Sequence, residues 1–136
     1  MMHTRAFSLM ELMVVVTIAG VIGAFGIPNY QKSVDTSIAK DAVNNLKLIG
    51  AAQELYKARN GTFYPAANGT ADVFQINKDL HLSILQQQGV TYSCVRSITS
   101  VCTAARGSNW TYSINLPAAP AAVPTCSAGT CPYTPT

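Results

Sequence analysis

Between Phe7 and Ile27 the chain runs for 21 residues with one charge, Glu11. A helix of that length spans about 31 Å, roughly the hydrocarbon thickness of a bilayer. Arg5 precedes the run, and the next charge is Lys32, beyond Pro28-Asn29-Tyr30-Gln31. Positive charge ahead of the span predicts a cytoplasmic N-terminus and an exported remainder, anchored by a single pass. The 136-residue chain then leaves 109 residues after Ile27. That is enough for one small domain, and small cores usually need staples. All four cysteines, Cys94, Cys102, Cys126 and Cys131, fall in this part.

Three readings compete for the apolar run. A secretory signal would have Arg5 in its basic region and a small residue such as Ala24 at the cut. Glu11 at the head of the run speaks against it. A plain anchor explains Glu11 locally, because Ser8-Leu9-Met10-Glu11 has the S-x-x-E form of a capping box, with Phe7 and Leu12 as a hydrophobic staple. The third reading starts from cost. A carboxylate inside a membrane span costs about 2.5 kcal/mol or more, and such groups usually have a partner. Cleavage between Ala6 and Phe7 would create an α-amino group one helical turn from Glu11. The amine and the carboxylate could pair within one chain or between neighbours, where they would fix axial register.

Arg5-Ala6-Phe7-Ser8-Leu9-Met10-Glu11, followed by an apolar run and Pro28, resembles the leader and helix start of type IV pilins and the related pseudopilins. A looser likeness extends through Tyr56-Lys57-Ala58-Arg59-Asn60-Gly61-Thr62-Phe63-Tyr64. The resemblance, closest to type IVa-like prepilins, implies a leader (residues 1–6) removed by a prepilin peptidase, which also methylates the new Phe7 amine. It implies a helix (residues 7–27) that waits in the inner membrane and then forms a filament core, and a globular head (residues 28–136). The implied partners are further copies of the chain in a helical filament and the inner-membrane pilus assembly machinery. The implied work is that of a major pilin in a surface fibre for twitching motility, adhesion or DNA uptake. A pseudopilin of a type II secretion system, or a minor pilin, is the alternative, and a secreted soluble binding domain the more distant one. The family usually has Gly before the cut, where this chain has Ala6.

Within the span, Ala19/Gly23 and Gly20/Ala24 make small-xxx-small pairs that permit close helix approach. Gly20, Gly23 and Gly26 each weaken the helix, and Pro28 lacks a backbone donor. These residues mark the expected weak point, helical in the membrane and loosened on assembly. Beyond Pro28, Val34, Ile38, Ala42, Leu46, Ile49, Ala52 and Tyr56 follow steps of three and four, which predicts one apolar face up to a stop at Asn60-Gly61.

The expected fold is α+β, a long N-terminal helix packed on a small antiparallel sheet. Val90–Cys94 and Trp110–Leu116 alternate as strands, with Trp110, Tyr112, Ile114 and Leu116 on one face. A middle strand is expected near Val95–Val101 and a turn at Arg106-Gly107-Ser108-Asn109. Asn68-Gly69 and Asn77 read as turns, and Lys78–Gln88 as a short helix. The tail from Pro117 holds five of the seven prolines and reads as irregular.

Seven and four residues separate successive cysteines within the two near pairs, which is not zinc-finger spacing, and His3 and His81 are badly placed to complete a site. An exported domain favours disulfides. Of three connectivities, the two local ones, Cys94–Cys102 and Cys126–Cys131, are preferred. No nucleophile–base set, nucleotide-binding glycine motif or metal-binding pattern is present, so neither an enzyme nor a cofactor is expected. The sequons at Asn60, Asn68 and Asn109 read as turn chemistry. Aromatic residues read as packing, and the dispersed Lys and Arg give no support to nucleic-acid binding.

Overall fold

The computed structural model describes residues 8–66, 69–86, 89–96, 99–117 and 123–136. The elements in chain order are α1 (Leu9–Asn60), β1 (Gly69–Asp72), α2 (Val73–Asp79), β2 (Val90–Arg96), β3 (Ser100–Arg106), β4 (Trp110–Leu116) and β5 (Thr125–Gly129). The chain divides into two units, one up to Asp35 and one from Thr36 onward. A long N-terminal helix, a five-stranded antiparallel sheet and two C-terminal disulfides make up the α+β architecture expected from the sequence.

The first unit is the leading part of α1. None of its described residues is buried. Thr17, a polar residue in the middle of the run, donates its hydroxyl to the carbonyls of Val14 (2.8 Å) and Met13 (3.1 Å). Its polarity is thereby met inside the helix, as an apolar solvent would require.

The second unit is built on the rest of α1, whose buried residues are Ile38, Ala39, Ala42, Val43, Leu46, Ile49, Gly50 and Gln53. They form one stripe, as the three- and four-residue steps predict. The helix ends at Asn60, where Gly61 adopts φ 75° and its N–H bonds the Lys57 carbonyl at 2.7 Å. A left-handed residue is cheap only for glycine, so the stop is written in the sequence.

The sheet has the order β1-β2-β3-β4-β5, every neighbour antiparallel. Its buried face is laid down in cross-strand rows. Tyr92, Ala104 and Tyr112 lie side by side, as do Cys94, Cys102 and Ile114. Small residues at the centre of the sheet make room for the tyrosines on either side. Asn45 Nδ2 donates to the Tyr92 hydroxyl at 2.9 Å, and Gln53 Nε2 lies 3.6 Å from Cys102 Sγ. Both contacts join α1 to this face.

Four expectations need correction. The middle strand is Ser100–Arg106, not Val95–Val101, because register is set by Cys94 opposite Cys102. Its inward residues, Ser100, Cys102 and Ala104, are too small or polar to raise a strong apolar alternation. The short helix is Val73–Asp79, not Lys78–Gln88. Asp72 accepts from the Gln75 N–H at 2.9 Å while the Gln75 side chain accepts from the Asp72 N–H at 3.1 Å, a complete capping box. That places Asn77 in the helix, not in a turn. Residues 82–86 form neither helix nor strand, and the Asn77 side chain bonds both the N–H and the C=O of Ile84. Finally, the proline-rich tail contains a strand, β5, added to the edge of β4.

Candidate assembly site

The residues singled out near the N-terminus fall into two groups. Ala6 and Phe7, the expected cleavage and methylation positions, lie outside the described residues. Glu11 lies in the first turn of α1 and is exposed. The Ser8 carbonyl accepts from the N–H groups of Glu11 (3.0 Å) and Leu12 (3.2 Å), so Ser8 opens the helix through its main chain. Among the described residues neither the Ser8 nor the Glu11 side chain makes a hydrogen bond of the expected capping box. Among the described residues the Glu11 carboxylate has no hydrogen-bond partner.

The apolar residues that follow are as open as they would be on an isolated helix. Leu9, Met10, Leu12, Met13, Val14, Val15, Val16, Ile18, Val21, Ile22, Phe25 and Ile27 are all more than half exposed. An 18-residue stretch of α1 reaches a mean hydropathy of 2.2 with none of it buried, and the helix is long and apolar enough to cross a membrane. At Gly20, Gly23 and Gly26 an added Cβ would meet nothing within 4 Å. Pro28 sits inside the helix, where it withholds the N–H that the Ala24 carbonyl would otherwise receive.

The cysteines pair as preferred, Cys94 with Cys102 and Cys126 with Cys131. The first bridge is fully buried between β2 and β3 and the second lies at the surface. Beyond the second bridge, the buried Tyr112 hydroxyl donates to the Tyr133 carbonyl at 2.6 Å and accepts from the Tyr133 N–H at 3.2 Å. The tail is thereby fixed by one covalent and one hydrogen-bonded clasp. No group of three metal-ligating side chains occurs among the described residues.

The sequence reading passed over residues that hold the loop between α1 and β1. Gln53, fully buried, donates to the Tyr64 carbonyl at 2.8 Å and accepts from the Tyr64 N–H at 2.7 Å. Ser100 adds a second donor to that carbonyl at 3.0 Å. Arg96 reaches the carbonyls of Phe63, Pro65 and Ala66 at 3.1, 3.3 and 2.7 Å. The available signal was a glutamine in an otherwise apolar stripe. A buried amide has to find partners, and a passing main chain offers both kinds. Three tyrosine hydroxyls in this unit have raised pKa values. For Tyr64 the causes are burial and then its donation to the Asp79 carboxylate at 2.7 Å. For Tyr92 and Tyr112 burial outweighs the opposing hydrogen bonds from Asn45 and with Tyr133.

Comparison with known proteins agrees with the N-terminal motif. The type IV major pilin protein PilA of Myxococcus xanthus is 38% identical over 66 residues, a stretch covering 48% of this chain and 30% of that protein. This chain is pilin-like. The statement rests on the matched half, on the long apolar N-terminal helix and on the α+β fold with its disulfides. No family model matches the pilin-like chain, and no solved structure matches it significantly. The matched stretch is less than a third of the relative's own length.

Proposed function

We propose that the chain is a structural subunit, the major pilin, of a type IV pilus, and that it works by packing and not by catalysis. The observation that carries this reading is the leading part of α1. From Leu9 to Ile27 it presents about five turns of apolar side chains around its whole circumference, with an acid near its start that has no hydrogen-bond partner among the described residues. A helix apolar all round is stable in lipid or among other helices and not in water. A membrane store followed by a filament core meets both conditions with one segment.

In this reading the leader up to Ala6 is removed by a prepilin peptidase, and the Phe7 amine is methylated. The amine pairs with Glu11, of its own chain or a neighbour, as subunits gather. Gly20, Gly23, Gly26 and Pro28 form the stretch of α1 that loosens on assembly, since each glycine weakens the helix and Pro28 leaves a carbonyl free to take water. The chain is single-pass in the inner membrane before assembly, N-terminus in the cytoplasm, and belongs to an extracellular fibre afterwards. Twitching motility, adhesion and DNA uptake are the tasks such a fibre would serve, with the assembly machinery supplied by other proteins.

The test joins mass spectrometry to one substitution. Filaments sheared from cells should contain this chain beginning at N-methyl-Phe7. Glu11→Gln keeps the size and hydrogen-bonding capacity of the side chain and removes its charge. It should leave the chain folded in the membrane and cut filament yield at least tenfold. Normal filaments from Glu11→Gln would remove the intersubunit pairing, and a mature product starting near Phe25 and free in the medium would remove the pilin reading altogether.

A further inference from the structure

A groove of about 350 Å³ opens on the second unit, lined by Ile38, Asp41, Asn44, Asn45, Ser83, Leu85, Val90 and Tyr92. It exists because β1 is short. β1 pairs with β2 only from Ser93 to Arg96, and at Asp72 the chain turns into α2. Among the described residues Val90 to Tyr92 therefore have a strand neighbour on the β3 side alone. Ser83 and Leu85, in the irregular segment after α2, and one face of α1 supply the walls.

The polar groups in this groove are arranged on fixed supports. Asp41, Asn44 and Asn45 stand at helical spacing on α1, and adjacent turns place such residues on one side. Asn45 is held by its bond to the Tyr92 hydroxyl at 2.9 Å. Asp41, Asn44 and Ser83 make no side-chain hydrogen bond among the described residues, so a carboxylate, an amide and a hydroxyl remain available. Ile38, Leu85 and Val90 add apolar surface, and Leu85 is 69% exposed.

From this combination we infer that the groove is a binding site for a neutral sugar residue. Among the described residues its lining includes no lysine, arginine or histidine, so a phosphate or carboxylate ligand would meet the repulsion of Asp41 there and no positive charge. One carboxylate without a second acid or a histidine is a poor cage for a divalent cation. A pyranose suits both parts of the wall. Its adjacent hydroxyls both donate and accept, as a carboxylate beside an amide requires, and its C–H face is apolar enough to lie on Leu85 and Ile38. The volume falls at the small end of the range for ligand sites, the size of one or two sugar rings. The inference is independent of polymerisation and concerns the single chain.

The experiment uses the full chain in phosphocholine micelles, which avoid sugar-headed detergents. Methyl glucoside, methyl galactoside and N-acetylglucosamine are titrated while ¹H–¹⁵N spectra are recorded. At least one should give saturable shifts confined to Asp41, Asn44, Asn45, Leu85 and Tyr92. Asp41→Asn and Asn44→Ala, both at exposed positions, should each weaken that sugar about tenfold, the loss expected for one hydrogen bond involving a charged or well-placed group. Unchanged resonances at Cys94 and Cys102 verify that the variants are folded. Glucose 6-phosphate should bind more weakly than the uncharged sugars. Saturation by none of the three sugars overturns the inference, and so do undiminished shifts in both variants or equal binding of the phosphorylated sugar.

Discussion

The two parts of α1 have the same secondary structure and opposite surroundings. Up to Asp35 no described residue is buried, and the apolar side chains point in every direction. From Ile38 to Gln53 eight residues are buried along one stripe, and charged residues such as Lys40, Asp41 and Lys47 are exposed. The difference separates two reasons for being helical. The later part is helical because a sheet covers its apolar stripe. In the earlier part no described residue is buried. Its apolar surface is a demand on something else, and composition alone states that demand: one charge in 21 residues is fewer than a water-facing helix carries.

The largest expected effect is a direct test of that contrast. Leu46 is fully buried, and Leu46→Ala should lower the stability of the sheet-bearing unit by about 3 kcal/mol, from lost transfer energy and the cavity left behind. Val16→Ala removes apolar atoms from the exposed part and should leave the same transition within about 0.5 kcal/mol. Urea unfolding of the full chain in micelles, followed by Trp110 fluorescence, measures both. Equal losses would mean that the two parts of the helix share a folding core, and the contrast would fail.

A smaller effect tests how the covered part is tied to its loop. Gln53→Ala removes both bonds to Tyr64, and although Ser100 still serves the Tyr64 carbonyl, the N–H is left buried without an acceptor. The expected cost is about 2 kcal/mol, the penalty of one orphaned buried donor plus a lost bond. Hydrogen exchange at the Tyr64 amide should accelerate in parallel with the loss of stability. An unaffected Tyr64 amide would show that the loop is held by Arg96 and its three carbonyl contacts instead.

What could be read in advance follows from where the physical signal lies. The helix was legible because its two periodicities, continuous and one-sided, extend over many turns. Its stop was legible because Gly61 is the residue that a left-handed position favours. β4 was read to the residue because Trp110, Tyr112, Ile114 and Leu116 alternate with smaller polar residues. β3 was misplaced by five residues at its start because its inward side chains are Ser100, Cys102 and Ala104, whose burial follows from the tyrosines beside them and not from their own hydrophobicity. α2 was misplaced because its start signal is an Asp72…Gln75 box, easily overlooked beside the better-known Ser…Glu form, which is present in the sequence at Ser8 and Glu11 but unmade at the side chains. The groove was invisible for a different reason. Asp41, Asn44 and Asn45 read as the wet face of a helix, and only the early end of β1 gives them a cavity.

The mildest prediction uses pH to act on the covered part alone. The hydroxyls of Tyr64, Tyr92 and Tyr112 all have pKa values above the ordinary tyrosine value, chiefly through burial. A raised pKa means that the folded state holds its proton when the unfolded chain has released it. The stabilising contribution is complete below about pH 10, the unfolded tyrosine value, and is lost as pH climbs from there toward the folded values. Between Leu9 and Ile27 there is no tyrosine, so alkali has no such grip on that segment. Unfolding curves at successive pH values from 9 to 11 should show the sheet-bearing unit weakening only above about pH 10, while the helical signal of the earlier segment persists in micelles. Tyr64→Phe should cost about 1 kcal/mol at neutral pH, through loss of the bond to Asp79, and should make the alkaline decline shallower by up to one proton, about 1.4 kcal/mol per pH unit. If Tyr64→Phe declines as steeply as the parent chain, Tyr64 is not among the groups that couple protons to this fold, and the alkaline loss belongs to Tyr92 and Tyr112.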